Sequence, residues 1–248
     1  MKNFATGLAA VAAMALATPA MADPITLGAG DVGSSFSIGF DGFSGDSAGT
    51  VDGLSGTLTL TLDSVTDDAY NFSYVMDNTT DGGLTSNISS FAFDVDPDIV
   101  GANVDGAYSY AFVTDGKGSD PRYPNQIGAV DVCFKAANSG SCSNGGGTAE
   151  GESGSGTLSL LFDPAANQIT LSDFFLRYQG ISGAGGVTSA TGQQVSTTGG
   201  IPPGGSTSGT QVPAPGMLGL LAMALATLGL MRRRRPVGAQ PLGQPAYA

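Results

Sequence analysis

The 248-residue chain contains no histidine, no tryptophan and only two cysteines. Because histidine is absent, the chain cannot form a Ser-His-Asp or Cys-His catalytic site, and it cannot bind zinc or iron through imidazole. Carboxylate, lysine and tyrosine chemistry remain available to it. The composition therefore excludes the commonest hydrolase and metalloenzyme sites.

The N-terminal segment is typical of a secretory signal peptide. Lys2 supplies a positive charge, and residues 4–16 form a short apolar stretch rich in alanine. Ala20 and Ala22 form an A-x-A cleavage motif, so we expect signal peptidase to remove residues 1–22 and the mature chain to begin at Asp23. The alternatives are an uncleaved membrane anchor and a buried helix, but the apolar stretch is short for a bilayer span.

The C-terminal segment has a stop-transfer pattern. Residues 217–231 are apolar and uncharged. Four arginines follow directly, namely Arg232, Arg233, Arg234 and Arg235. This pattern predicts a single transmembrane helix with the arginines on the cytoplasmic side and the preceding domain outside. A helix over residues 216–231 would be about 24 Å long, against a hydrocarbon core of about 30 Å, so it is short for a permanent anchor.

A proline motif precedes this apolar run. It consists of Val212, Pro213, Ala214 and Pro215. Together with the apolar helix and the arginines, over residues 212–235, it resembles the PEP-CTERM sorting signal, with Ala214 where that family most often has glutamate and with an additional tail, residues 236–248. The resemblance implies cleavage by exosortase, a membrane cysteine protease, and delivery to the outer surface or the exopolysaccharide matrix. The alternative is an ordinary single-span membrane anchor.

Three further segments resemble the glycine-rich cistern subgroup of the same family. They are residues 94–98, 131–134 and 171–179. This second resemblance implies no known activity.

Positive charge is scarce in the segment that we expect to be exported. It carries 21 acidic residues, all between Asp23 and Asp173, and a net charge of −17. Its four basic residues are Lys117, Arg122, Lys135 and Arg177. Nucleic-acid binding depends on neutralising phosphates with lysine and arginine, so this charge argues against a nucleic-acid partner. It is typical of a soluble secreted protein, or of one that collects cations.

The two cysteines, Cys133 and Cys142, are separated by a short loop that contains glycine and serine. An even number of cysteines in an exported chain predicts a disulfide, which would stabilise this local loop by about 2–3 kcal/mol. The alternative is a redox pair, although such pairs are usually spaced C-x-x-C.

Hydrophobic alternation predicts an all-β fold. Over residues 56–63, leucine and threonine alternate, which would bury one face of a strand and expose the other. Other segments with this alternation, some weaker, cover residues 25–27, 36–38, 70–76, 89–95, 108–112, 129–134, 157–162 and 169–178. Such short, regularly spaced strands are typical of an antiparallel, jelly-roll-like β-sandwich over residues 23–181. Residues 182–211 contain almost no large apolar side chain and are predicted to be a flexible linker.

The best candidate for a ligand site is a group of three carboxylates. Asp94, Asp96 and Asp98 would share one face of a strand, and calcium prefers carboxylate and carbonyl oxygens. Solvent-exposed turn aspartates are the alternative. Paired carboxylates could also act as a glycosidase, and sugars could stack on tyrosines. The tyrosines that could serve in this stacking are Tyr70, Tyr74, Tyr108, Tyr110 and Tyr178.

These patterns together predict a non-enzymatic, secreted or surface protein with a structural or adhesive role in the exopolysaccharide matrix. The alternative function is a calcium-dependent carbohydrate-binding module at the cell surface. A glycosidase is a third hypothesis.

Overall fold

The computed structural model describes residues 24–43, 49–113, 122–125, 127–138, 142 and 145–200. The described residues all belong to one compact unit, which lies within residues 1–205. The predicted signal peptide, sorting signal and C-terminal tail lie outside the described residues. In the part of the chain that is described, no helix is long and apolar enough to cross a membrane.

The described residues form fourteen strands and one turn of 3-10 helix, Ala29–Asp31. The strands are β1 (Ile25–Gly28), β2 (Ser35–Phe40), β3 (Gly56–Val65), β4 (Ala69–Asn78), β5 (Thr85–Asp96), β6 (Gly101–Gly106), β7 (Tyr110–Val113), β8 (Arg122–Tyr123), β9 (Gly128–Ala129), β10 (Val132–Lys135), β11 (Thr148–Ala149), β12 (Ser153–Leu161), β13 (Gln168–Ser182) and β14 (Ser189–Gly200). Each of the nine segments that the sequence predicts as strands overlaps one of these.

Twelve of the strands form one antiparallel sheet. Its order is β6-β12-β4-β3-β2-β14-β13-β5-β10-β7, with β1 paired to β13 and β11 paired to β5. The two strands at the ends of this order, β6 and β7, follow each other in the chain and lie side by side. The sheet is therefore nearly closed around its core, and the all-β antiparallel prediction is confirmed.

Strand β14 corrects one sequence prediction. The composition of residues 182–211 predicts a linker, but Ser189–Gly200 is a strand in the middle of the sheet. Residues 189–193 pair with β13, and residues 194–200 pair with β2, with a register shift after Gln194. The linker prediction is thus wrong for residues 189–200, because this strand joins the two halves of the sheet.

The core explains why the alternating segments become strands. Leu58, Leu60 and Leu62 in β3 are completely buried, and the threonines between them face outward. Fully burying one such side chain contributes about 1.5–3 kcal/mol, so this alternation specifies the inner face of the strand. The inward side chains of the other long strands join the same cluster, in which the rings of Phe91 and Tyr108 lie 5.1 Å apart, edge to face.

A second, smaller cluster covers the outer face of β5 and β10. The β8–β9 hairpin packs its Tyr123 against this face, beside Ala92, Cys133 and Cys142. The Tyr123 hydroxyl donates a hydrogen bond of 3.1 Å to the carbonyl oxygen of Ser90. Strands β5 and β10 are therefore covered on both faces, which determines where their outward side chains can meet solvent.

Candidate functional site

The three predicted calcium ligands do not converge. Asp94 is half-buried on the outer face of β5, whereas Asp96 and Asp98 are exposed. Among the described residues, no three acidic or cysteine side chains are arranged as they would be around a metal ion. The proposed arrangement of Asp94, Asp96 and Asp98 as a calcium site is therefore not supported, because Asp94 turns towards β10 while the other two point into solvent.

Asp94 instead takes part in a reciprocal pair with Asp131. The backbone N–H of Asp131 donates to Oδ1 of Asp94 at 3.0 Å, and the backbone N–H of Val95 donates to Oδ2 of Asp131 at 2.8 Å. Burial is the main cause that raises the pKa of Asp94 from 3.8 to about 6. The hydrogen bond from the backbone N–H of Asp131 lowers this pKa, whereas the negative charges of Asp131 and Asp173 raise it. These two hydrogen bonds connect the residue just before β10 with the end of β5.

The two cysteines are neighbours in the second cluster. Both are buried, and both are free thiols in this structure. Burial and the adjacent Cys142 side chain raise the pKa of the Cys133 thiol well above its ordinary value. The thiol of Cys133 is consequently a poor nucleophile and a poor metal ligand, since both roles need the thiolate. The predicted disulfide between Cys133 and Cys142 stays a prediction.

Four of the five candidate tyrosines are packed in the core. Tyr70, Tyr74, Tyr108 and Tyr178 are almost completely buried. The hydroxyl of Tyr108, for example, donates to the carbonyl oxygen of Ile88 at 2.9 Å, and burial raises its pKa. These side chains cannot stack on a sugar without unfolding the domain.

Tyr110 is the exception, because 39% of its side chain is exposed. It lies on β7 together with Phe112, which is 36% exposed, and the residues between and after them, Ala111 and Val113, pack against the core. The alternation over residues 108–112 predicts that Tyr108, Tyr110 and Phe112 share one face of a strand. That prediction is wrong, since Tyr108 precedes the strand and turns inward.

Lys135 completes this region and was not identified from the sequence as a site residue. It lies opposite Tyr110 in the pairing of β10 with β7. Its side chain is only 5% exposed, and its ammonium nitrogen lies 5.4 Å from the centre of the Phe112 ring, a distance typical of a cation–π contact. Tyr110, Phe112 and Lys135 are named here the aromatic strip.

Strands β2, β3 and β12, in the other half of the sheet, present serine and threonine hydroxyl groups to solvent instead of aromatic rings. On β2 and β3, Ser37 and Thr59 face each other across the strands with 2.8 Å between their oxygens. Outward serine and threonine side chains continue along β12, where the alternation reads exposed, then buried, at Thr157 and Leu158. This half of the domain therefore meets solvent through small polar groups.

The predicted processing residues, Ala20, Ala22, Asp23 and those of 212–235, lie outside the described residues. No protein-family model matches the chain, and no curated protein matches it.

Proposed function

We propose that the protein is a non-enzymatic, exported component of the cell surface or exopolysaccharide matrix, with a structural or adhesive role. Its sorting would depend on the proline motif, the apolar run and the arginine cluster of residues 212–235. An exosortase-type protease would cut this signal after export, and the arginines would be discarded with it.

The position of the last strand carries this proposal. Strand β14 ends at Gly200, twelve residues before Val212. A cut at the proline motif would therefore leave every described strand in the released piece, including β14, which joins the two halves of the sheet. A folded domain whose strands all precede the cleavage motif is what a sorting protease needs if it is to release a stable product.

The surface chemistry of the domain also supports an extracellular role. Its net charge of −17 keeps copies of the domain apart in solution. The hydroxyl face on β2, β3 and β12 can exchange hydrogen bonds with water or with neutral polyhydroxyl chains, so it is suited to a hydrated polymer matrix. Calcium is not part of this proposal, because the candidate ligands do not converge.

Intact mass measurement of the protein from its native cells tests the proposal. Membrane and extracellular fractions are separated first, and the mass of the chain in each is determined. We expect an extracellular chain that begins at Asp23 and ends within residues 213–216. Recovery only from the membrane fraction, with residues 232–248 still attached, would contradict exosortase-type sorting and indicate a tethered protein.

A further inference from the structure

The two thiols lie together on the outer face of the sheet, beside the β8–β9 hairpin. Cys133 and Cys142 are completely buried, and their side chains are close enough to share a hydrogen bond. Tyr123 of the hairpin and Val130, which follows it, are almost completely buried in the same cluster. The hairpin therefore contributes directly to the cover over both thiols.

The backbone of both cysteines is attached to β5. Cys133 pairs with Ala92 of that strand. The hydroxyl of Ser90, also in β5, donates a hydrogen bond of 2.8 Å to the carbonyl oxygen of Cys142. Because both attachments are to the same strand, the two sulfur atoms stay adjacent even when the hairpin moves away.

The contact between the hairpin and β13 leaves polar groups unsatisfied. Arg177 of β13 is 7% exposed, and its Nη1 donates a hydrogen bond of 3.0 Å to Oδ1 of Asn125. Within the described residues, neither Nε of Arg177 nor Nδ2 of Asn125 has a hydrogen-bond partner, although both atoms are buried. Asn125 also has a φ of 56°, in the left-handed region that side chains rarely adopt. Opening of the hairpin would return both polar groups to water, so local opening is easier here than elsewhere in the sheet.

Thiol–disulfide exchange requires a thiolate that a second sulfur atom can reach. In the closed structure, burial raises the pKa of the Cys133 thiol well above its ordinary value. The packed ring of Tyr123 also leaves a dissolved reagent no path to the sulfur atoms from the side of the hairpin. Both obstacles are removed when the hairpin opens.

We propose that the β8–β9 hairpin is a cover that controls the redox state of Cys133 and Cys142, which exchange between dithiol and disulfide only while the hairpin is open. In the open state, the thiolate of one cysteine attacks a soluble disulfide such as oxidised glutathione and releases one glutathione thiolate. The thiolate of the other cysteine then attacks the mixed disulfide and releases the second. The pair loses two electrons and two protons, which the two glutathione molecules receive. Closure of the hairpin then protects the new bond from reductants.

Alkylation of the full-length chain tests the proposal. The chain is reduced in urea, refolded in mild detergent and treated with iodoacetamide, and its intact mass counts the alkylated thiols. We expect the folded chain to react at least about tenfold more slowly than the chain in urea, because reaction needs local opening. The rate should change little with urea below the unfolding transition, since opening of one short hairpin exposes little surface.

Two variants distinguish opening of the hairpin from unfolding of the domain. Tyr123→Ala removes the ring that covers the thiols, so it should raise both the alkylation rate and the rate of disulfide formation by oxidised glutathione at least about tenfold. Ile38→Val is the control, because Ile38 is completely buried in the main core, on β2. This change should lower the stability of the whole domain and leave both rates unchanged. Circular dichroism establishes that each variant folds.

Three results would overturn the inference. Equal alkylation rates for the folded chain and the chain in urea would show that nothing covers the thiols. A rate that Ile38→Val raises as much as Tyr123→Ala does would show that the thiols react only through unfolding of the domain. Failure of oxidised glutathione to join the two cysteines in Tyr123→Ala would show that they are not a redox pair. If Tyr123→Ala does not fold, the urea dependence of the unmodified chain decides, because a steep dependence contradicts local opening.

Discussion

Replacing Asp94 with asparagine should stabilise the domain at neutral pH. The carboxylate is half-buried and close to the charges of Asp131 and Asp173, and the charged form is therefore disfavoured in the folded state. Asparagine keeps an Oδ1 atom that can accept the 3.0 Å hydrogen bond from the backbone N–H of Asp131. The change thus removes a charge without removing the contact.

The magnitude follows from the pKa. Folding raises the pKa of Asp94 from 3.8 to about 6, and one pKa unit corresponds to about 1.4 kcal/mol, which would give an upper bound of about 3 kcal/mol. Since the carboxylate is partly exposed, solvent screening reduces the expected gain to about 1 kcal/mol. A gain of this size is measurable as a shift in the midpoint of urea unfolding.

The sign of the pH dependence provides the stringent part of the test. A raised pKa means that the folded state holds the proton more tightly than the unfolded chain does. The free energy of unfolding therefore decreases as the pH rises from about 4 to about 6, and is constant with respect to this group above that range. The advantage of Asp94→Asn should be fully present near pH 7.5 and should disappear below about pH 3, where Asp94 is protonated in both states.

Urea unfolding followed by tyrosine fluorescence at these two pH values measures the effect. Asp96→Asn is the matched control, because Asp96 is exposed on the same strand, and it should change the free energy of unfolding by less than about 0.5 kcal/mol. If Asp94→Asn destabilises the domain at neutral pH, or stabilises it equally at both pH values, the reasoning about its environment is wrong.

Three further changes test the fold. Asn78→Ala should lower the free energy of unfolding by about 2–4 kcal/mol, because the buried amide nitrogen donates to two backbone carbonyl oxygens at 3.0 Å that would be left without a partner; urea midpoints measure this. Gly156→Ala should detach the edge strand β6 from β12, since its Cβ would lie 1.9 Å from the carbonyl oxygen of Asp105, and faster amide exchange in β6 would reveal it. A chain that ends at Ile181 should lose cooperative unfolding, whereas a chain that ends at Gly205 should retain it, because only the second keeps β14; circular dichroism during denaturation distinguishes them.

The strands that the sequence predicts are those in which large apolar side chains alternate with small polar ones. Strand β14 was missed because its inner face carries no large side chain. Ala190 and Gly192 point towards space that Tyr178 of β13 and Phe40 of β2 already fill, and a Cβ on Gly192 would lie 2.9 Å from the Tyr178 ring. The small residues that make this segment resemble a linker are therefore the residues that close packing against Tyr178 and Phe40 requires. No local pattern in residues 189–200 contains that information.

The same limit applies to the candidate site. Alternation across residues 108–112 predicts two faces but not which face is inside, and it cannot predict that the strand begins only at Tyr110. Tyr108 is buried because the turn after β6 carries it under the sheet, where its hydroxyl reaches the carbonyl oxygen of Ile88. The contact of Lys135 with the Phe112 ring depends on the pairing of β7 with β10, which joins residues 110–113 to the distant residues 132–135.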